Sequence, residues 1–348
     1  MLPPSFSRRT LATLFAPSYA PAMSLPKAVI AVPVPEATLA RLAAGCQPLV
    51  GVNPGDRAAL RAALADAEGV LSPAPTPYDA AFLDGFPRLR VISNFGVGFN
   101  NVDLEDCTRR GIAVCNTPGV LSVAVAELAL LLILAAARRF PANAAHSSGG
   151  GWSAGSPAPP LGFDITGKTL GLVGYGRIAK ETAIRARAFG MRVVYYDAFP
   201  VGDDGHATPL PLDDLLRTSD FVSLHVNLTP ETHHVLSARE FALMKPSAWL
   251  VNTSRGPVVD QAALTAALLA AQIAGAALDV LEVEPPDPAD PLLTMPNVIT
   301  LPHIGTATTE TRAAMLEMSV SNLLMVLGGE PPLSCVNPEA LPRAMQRR

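Results

Sequence analysis

From residue 27 onward, short runs rich in β-branched and other apolar residues alternate with longer Ala- and Leu-rich stretches of helical character. The runs 27–32, 69–72, 90–94 and 112–115 read as strands with helical segments between them. A stretch rich in Gly, Pro and Ser, 147–162 (SSGGGWSAGSPAPPLG), interrupts the pattern and reads as a loop. The alternation then resumes more sharply. It predicts strands over 169–173, 192–196, 221–225, 249–252, 274–279 and 297–300, and helices over 177–189, 238–244 and 261–271. Strands alternating with helices predict an α/β chain whose sheets are parallel and covered by helices on both faces. The sequence shows no internal repeat at a solenoid period.

The longest apolar run, 120–137 (VLSVAVAELALLLILAAA), approaches the length of a membrane span. Glu127 lies inside it and Arg138-Arg139 close it on one side only, so a buried helix is expected and no membrane partner. Hydrophobic residues make up 49% of the 348, enough to bury large cores and to exclude a disordered chain. Pro and Gly, 34 and 26 residues, together stay below the roughly 25–30% that marks low complexity. A net charge of -4 gives no broad basic face, which argues against nucleic acid as a partner.

The four cysteines, Cys46, Cys107, Cys115 and Cys335, form no CxxC pair and read as reduced thiols of a cytoplasmic protein. Among six histidines only His233 and His234 are adjacent. On a strand their side chains would point to opposite faces, so no metal is expected. Residues 1–22 contain two arginines and no acid, which suggests a transit peptide or, through Ser7-Arg8-Arg9, a twin-arginine signal. The prolines at 17 and 21 argue instead for a disordered or non-native extension, with translation starting at Met23.

Chemistry first shows at Gly174-Tyr175-Gly176-Arg177-Ile178-Ala179, a GxGxxA turn between a strand and a helix. Gly174 permits the tight turn, Gly176 admits a pyrophosphate to the backbone, and Ala179 lets helix and strand pack closely. The phosphates would face the helix N-terminus, where free N–H groups and the dipole favour negative charge. The next strand ends at Asp197, placed to bind the adenine-ribose hydroxyls. Six strands are the number expected of such a dinucleotide-binding unit. A carboxylate at 197 repels a 2′-phosphate, and Ala198, Phe199, Pro200 and Val201 supply no arginine to hold one. NAD is therefore expected as cofactor, with NADP less favoured.

Three polar residues follow later strands: Arg255 after WLVNTS, Glu284 in VLEVEPP and His303 in LPHIGTAT. Taken singly, each has an ordinary reading as a surface charge, a turn residue or a structural histidine. Together, at strand ends where α/β sheets bind ligands, they form a consistent chemical set.

On these residues the chain resembles the D-isomer-specific 2-hydroxyacid dehydrogenase family, in particular its glyoxylate/hydroxypyruvate reductase branch. The matching segments are NFGVGFNNVD (94–103), NTPGVLSVAVAELAL (116–130), the GYGRIA turn with Asp197, LHVNLTPETHHVL (224–236), NTSRGPVVD (252–260), AGAALDVLEVEPP (274–286) and LPHIGTAT (301–308). The resemblance implies two Rossmann-like, doubly wound parallel-sheet domains with a cleft between them. Residues 23–119 plus 304–338 would form the substrate-binding domain and 120–303 the NAD-binding domain, with the 120–138 helix as one of two crossovers. It also implies Arg255, Glu284 and His303 as catalytic residues, with Val97 and Gly98 binding the substrate carboxylate through their backbone beside Arg255 and His303. Cofactor contacts would come from Gly174, Gly176, Arg177, Ile178, Asp197, Val226, Thr253, Ser254, Asp279 and Gly305. Relatives are typically homodimers, and the 140–162 stretch with Trp152 is either a dimer arm or an ordinary surface loop.

The chemistry of a 2-keto acid fits this set. Arg255 can hold carboxylate and carbonyl oxygens in a planar fork, and the glycines flanking Val97 let backbone N–H groups approach. His303 can protonate the developing alkoxide, with Glu284 fixing its tautomer and favouring its protonated form. The chain departs from the common family pattern at Asn100, where aspartate is frequent, at Val123 and at Asn227. These positions bear on specificity rather than on reaction class. Phosphoglycerate or D-lactate-type dehydrogenases and a non-catalytic NAD-sensing scaffold of the same fold are the alternatives.

Overall fold

The computed structural model describes residues 24–73, 76–199 and 201–346, so the expectations for 1–22 lie outside the described residues. Its first sheet contains β1 (Lys27–Ile30), β2 (Gln47–Val50), β3 (Gly69–Pro73), β4 (Val91–Phe95) and β5 (Ala113–Cys115), in the order β2-β1-β3-β4-β5. A second sheet contains β6 (Thr169–Val173), β7 (Arg192–Tyr196), β8 (Thr208–Pro209), β9 (Phe221–Leu224), β10 (Trp249–Asn252), β11 (Gly275–Leu278) and β12 (Val298–Thr300). Its order is β12-β11-β10-β9-β6-β7-β8. Every pairing in both sheets is parallel.

The sequence reading of this architecture needs three corrections. β2 was not expected, because its residues QPLV lie on an exposed sheet edge and carry no buried apolar run. The second sheet has seven strands rather than six, the addition being the two-residue edge strand β8, where a proline is tolerated. The stretch after residue 140 is not all loop: a helix spans Phe140–His146, and Ser147–Gly151 continue it as one wide turn.

Another correction concerns His233 and His234. They occupy a turn after β9, not a strand. The His233 N–H donates to Thr229 O at 2.9 Å, and His234 sits at φ 52. The two rings stack with centroids 3.9 Å apart, so they share one side of the chain.

In the second sheet successive side chains bury to opposite faces. Leu170, Leu172, Phe221, Trp249 and Val251 enter one core, while Val173, Val222, Leu224 and Leu250 enter the other. Burial on both faces explains why these strands read as continuous apolar runs. The helix Ser122–Ala137 packs into the first of these cores and is apolar almost all round. Its lone acid, Glu127, sits at the surface 3.8 Å from Arg185. Among the described residues, no helix is long and apolar enough to cross a membrane.

The strand orders place the ligand crevice. In the second sheet the chain reverses direction of growth between β6 and β9, and in the first between β1 and β3. Open parallel sheets bind ligands outside the carboxyl ends at such reversals. After β12 the chain returns to the first sheet, where the helix Thr309–Gly328 lays Val320, Leu323, Val326 and Leu327 on Ala28, Ile30, Leu71 and Val91.

Buried polar groups latch this return in place. Asn337 Oδ1 accepts from the Val114 N–H at 2.8 Å, and its Nδ2 donates to Ile112 O at 2.9 Å and Thr108 Oγ1 at 3.0 Å. The buried Arg90 donates to Ala344 O and Val326 O and pairs with Glu68. Asn337→Ala would leave a buried N–H and C=O unpartnered, so it should lower unfolding free energy by about 2–3 kcal/mol. A urea titration checks this, and an unchanged midpoint would show the latch to be redundant.

Candidate active site

The β6–helix turn is built as its glycines require. Gly174 adopts φ 87, and a Cβ there would lie 2.9 Å from the carbonyl group of His225, just past the neighbouring β9. Gly176 opens the helix Arg177–Ala188 into free space, and Ala179 is fully buried beneath it. Asp197, at the end of β7, accepts from the Tyr175 N–H at 2.7 Å and the Phe199 N–H at 2.9 Å, which ties it to this turn. Arg177 is exposed at the helix start.

The carboxyl ends of β10, β11 and β12 supply the chemistry. Asn252 Oδ1 accepts from Ser254 N and Oγ, and its Nδ2 donates to Arg255 O, which shapes the turn that projects Arg255. Arg255 Nε donates to Asn100 Oδ1 at 3.1 Å across the cleft. Desolvation in the cleft lowers the Arg255 guanidinium, against the opposing charge of Glu284, but a guanidinium starts high enough to remain a cation. The buried Asp279 accepts from the Ile304 N–H at 2.7 Å and the Gly305 N–H at 2.8 Å. Burial raises its carboxyl, and those two N–H groups only partly offset this.

His303, at φ 54, faces Glu284, with Nδ1 2.7 Å from Oε2. Burial raises the Glu284 carboxyl. Its hydrogen bond and charge interaction with His303, the Leu281 N–H and Arg255 outweigh that, and the net direction is down. Glu284 is thus a carboxylate at neutral pH. An imidazole backed in this way can give or take a proton at its other nitrogen.

The loop after β4 completes the site. Its carbonyls are taken from behind: Gly96 O by Thr117 N, Val97 O by Asn116 Nδ2, and Gly98 O by Asn94 Nδ2. No group among the described residues accepts from the Val97 or Gly98 N–H. These two donors and the Arg255 fork can together hold a carboxylate.

Eleven of the expected site residues line a single cleft of about 430 Å³: Val97, Gly98, Ile178, Val226, Thr253, Ser254, Arg255, Asp279, Glu284, His303 and Gly305. Gly174, Gly176 and Arg177 are not part of that lining but belong to the turn that leads into Ile178, and Asp197 borders a second, open depression with Tyr195 and Phe199. The sequence reading missed His225, Arg312 and Met315, which also line the cleft. Burial pushes His225 down to about 4, so it is neutral, bonded to Ser223 Oγ at 2.9 Å, and offers no second acid. Arg312 stacks over the Phe95 ring, 5.6 Å from its centroid. The helix carrying Arg312 and Met315 was not read from the sequence, and only the fold brings it back to the cleft.

A dinucleotide fits this cleft. The open helix start at Gly176 and the Asp197 carboxylate suit a pyrophosphate and a ribose, and the buried Thr253 Oγ1 has no partner among the described residues.

A family model described as the NAD-binding domain of D-isomer-specific 2-hydroxyacid dehydrogenases matches residues 130–305. The glyoxylate reductase of Korarchaeum cryptofilum is 45% identical over 280 residues, 79% of this chain and 84% of that protein. The TT0316 protein of Thermus thermophilus superposes with a TM-score of 0.83 at 42% identity, covering 89% of this chain and 99% of that one. An NADPH-dependent glyoxylate/hydroxypyruvate reductase of Sinorhizobium meliloti, solved with NADP and malonate, gives a TM-score of 0.82 at 34% identity, covering 91% and 98%.

The packing at Gly98 yields a separable test. A Cβ there would lie 1.8 Å from Arg255 Nη2, a flexible side-chain end rather than backbone. Gly98→Ala should leave the thermal midpoint nearly unchanged while displacing the guanidinium and raising KM for a carboxylate substrate by about tenfold or more. Steady-state kinetics beside a melting curve checks this, and an unchanged KM would remove the Arg255–Gly98 contact from substrate binding.

Proposed function

Because the chain belongs to the D-isomer-specific 2-hydroxyacid dehydrogenase family, we propose that it reduces a small 2-keto acid, glyoxylate or hydroxypyruvate, to the D-2-hydroxy acid. It is an oxidoreductase acting on a CH–OH group with NAD(P). The observation that carries the substrate reading is the facing of the His303–Glu284 pair, Arg255 and two free backbone N–H groups in one cleft. The named relatives support the same reading.

In this mechanism Val97 and Gly98 N–H bind one carboxylate oxygen, and Arg255 binds the other together with the carbonyl oxygen. Asn100 holds Arg255 Nε so that the fork keeps its direction. The bound nicotinamide dinucleotide supplies the hydride. His303 gives its proton to the carbonyl oxygen as negative charge develops there, and Glu284 holds the ring through Nδ1 and stabilises the cation before transfer. Gly174, Gly176, Arg177 and Ile178 hold the pyrophosphate end, Asp197 the adenine ribose, and Val226, Thr253, Ser254, Asp279 and Gly305 the nicotinamide end. Segments 23–119 plus 304–338 and segment 120–303 move as two domains, and closure expels water from the cleft.

We assign NADH as the preferred donor, because Asp197 would repel a 2′-phosphate. The protein works in the cytoplasm as a homodimer. Trp152 and Leu161, 89% and 86% exposed, together with Phe140 form an apolar arm suited to cover by a second copy.

Glyoxylate-dependent oxidation of NADH tests the activity. His303→Gln should lower reductive kcat by about 100-fold or more, and a loss under about threefold would end the general-acid assignment. The ratio of kcat/KM for NADH over NADPH should exceed one and should fall in Asp197→Ala. A ratio below one in the wild type would reverse the donor assignment.

A further inference from the structure

We propose that His233, His234 and Glu282 form a binding site for a divalent transition-metal ion, with Zn²⁺ as its best-suited occupant. One ligand atom from each of these residues lies within 4.8 Å of the other two. His234 Nε2 is 2.9 Å from Glu282 Oε1, and the His233 ring stacks on that of His234. Tetrahedral zinc with bonds of about 2.0–2.1 Å puts its ligand atoms roughly 3.3 Å apart. The histidine–glutamate edge is therefore close to formed, and the exposed His233 ring has to swing inward.

The scaffold behind these groups is fixed. The His233 N–H donates to Thr229 O and the His234 N–H to Pro257 O, each at 2.9 Å. Glu282 is held at both ends by Gln261. Its N–H donates to Gln261 Oε1 at 2.9 Å, and its Oε2 accepts from the Gln261 N–H at 3.3 Å. Asp260 is the nearby carboxylate, but Ser237 Oγ and the Ala263 N–H occupy it, so it adds negative charge without serving as a ligand.

Two imidazoles and one carboxylate are a donor set for Zn²⁺, Ni²⁺ or Cu²⁺, whereas Mg²⁺ and Ca²⁺ call for oxygen ligands. Partial exposure of all three residues leaves a fourth position open to water. Such an ion would tie the turn after β9 to the segment 281–286, which also carries Glu284. The plain alternative is an imidazole–carboxylate ion pair that binds nothing.

Titration of chelator-stripped protein with ZnCl₂ in a calorimeter decides between them. The expected result is one saturable site that excess MgCl₂ does not displace, with a melting midpoint that rises as ZnCl₂ is added. His233→Ala and Glu282→Gln should each weaken binding by about tenfold or more. His233→Ala, a change at an exposed side chain outside the cleft, should keep the turnover of the wild type when both are measured in chelator. Absence of saturable binding would overturn the site. So would binding that both substitutions leave intact, since the zinc would then sit on other histidines.

Discussion

The candidate active cleft depends on one buried carboxylate. Asp279 ends β11 and uses both oxygens on the backbone of the next turn, at Ile304 and Gly305, while its own carbonyl accepts from the His303 N–H. That clamp holds His303 in a left-handed conformation that few non-glycine residues adopt. Strain of this kind persists only where surrounding bonds over-determine it. Asp279 therefore has a positioning task that would exist with or without a nicotinamide contact. The imidazole direction, its distance to Glu284 and the exit of the chain toward the first sheet all follow from it.

Electrostatics in the cleft are divided between the two sheets. The second sheet brings Arg255, Asp279, Glu284 and His303, while the first brings the N–H donors after β4 and the accepting amide oxygen of Asn100, with Arg312 on the helix that crosses back to it. An amide orients Arg255 without neutralising it, so in the proposed mechanism the guanidinium would keep its charge for a substrate carboxylate. An aspartate at 100 would pair with the arginine and compete for the same fork.

Much of this was legible in the sequence for a physical reason. Strands buried on both faces must be apolar throughout, and β6, β7 and β10 were read at their observed limits. The glycine turn was legible because only glycine meets the backbone geometry at 174. Arg255, Glu284 and His303 stood out as polar residues at strand ends, and family resemblance joined them into one site. What escaped depends on contacts remote in sequence. β2 is an exposed edge, β8 has two residues, and Arg312 reaches the cleft only because its helix crosses back to the first sheet. The stacking of His233 on His234 depends on a turn conformation that a strand-based reading replaced with alternation.

The return of the chain to its first sheet also bears on synthesis. β1 to β5 leave a ribosome early, yet one face of that sheet is covered by Val320, Leu323 and Val326, which emerge only after the whole second sheet. Because chains fold from the N-terminal side as they appear, the nascent protein would carry an uncovered apolar layer while its nucleotide-binding half is still being made. The half that is encoded first would therefore be completed last, and during that interval the open face would be a target for chaperones and a seed for aggregation.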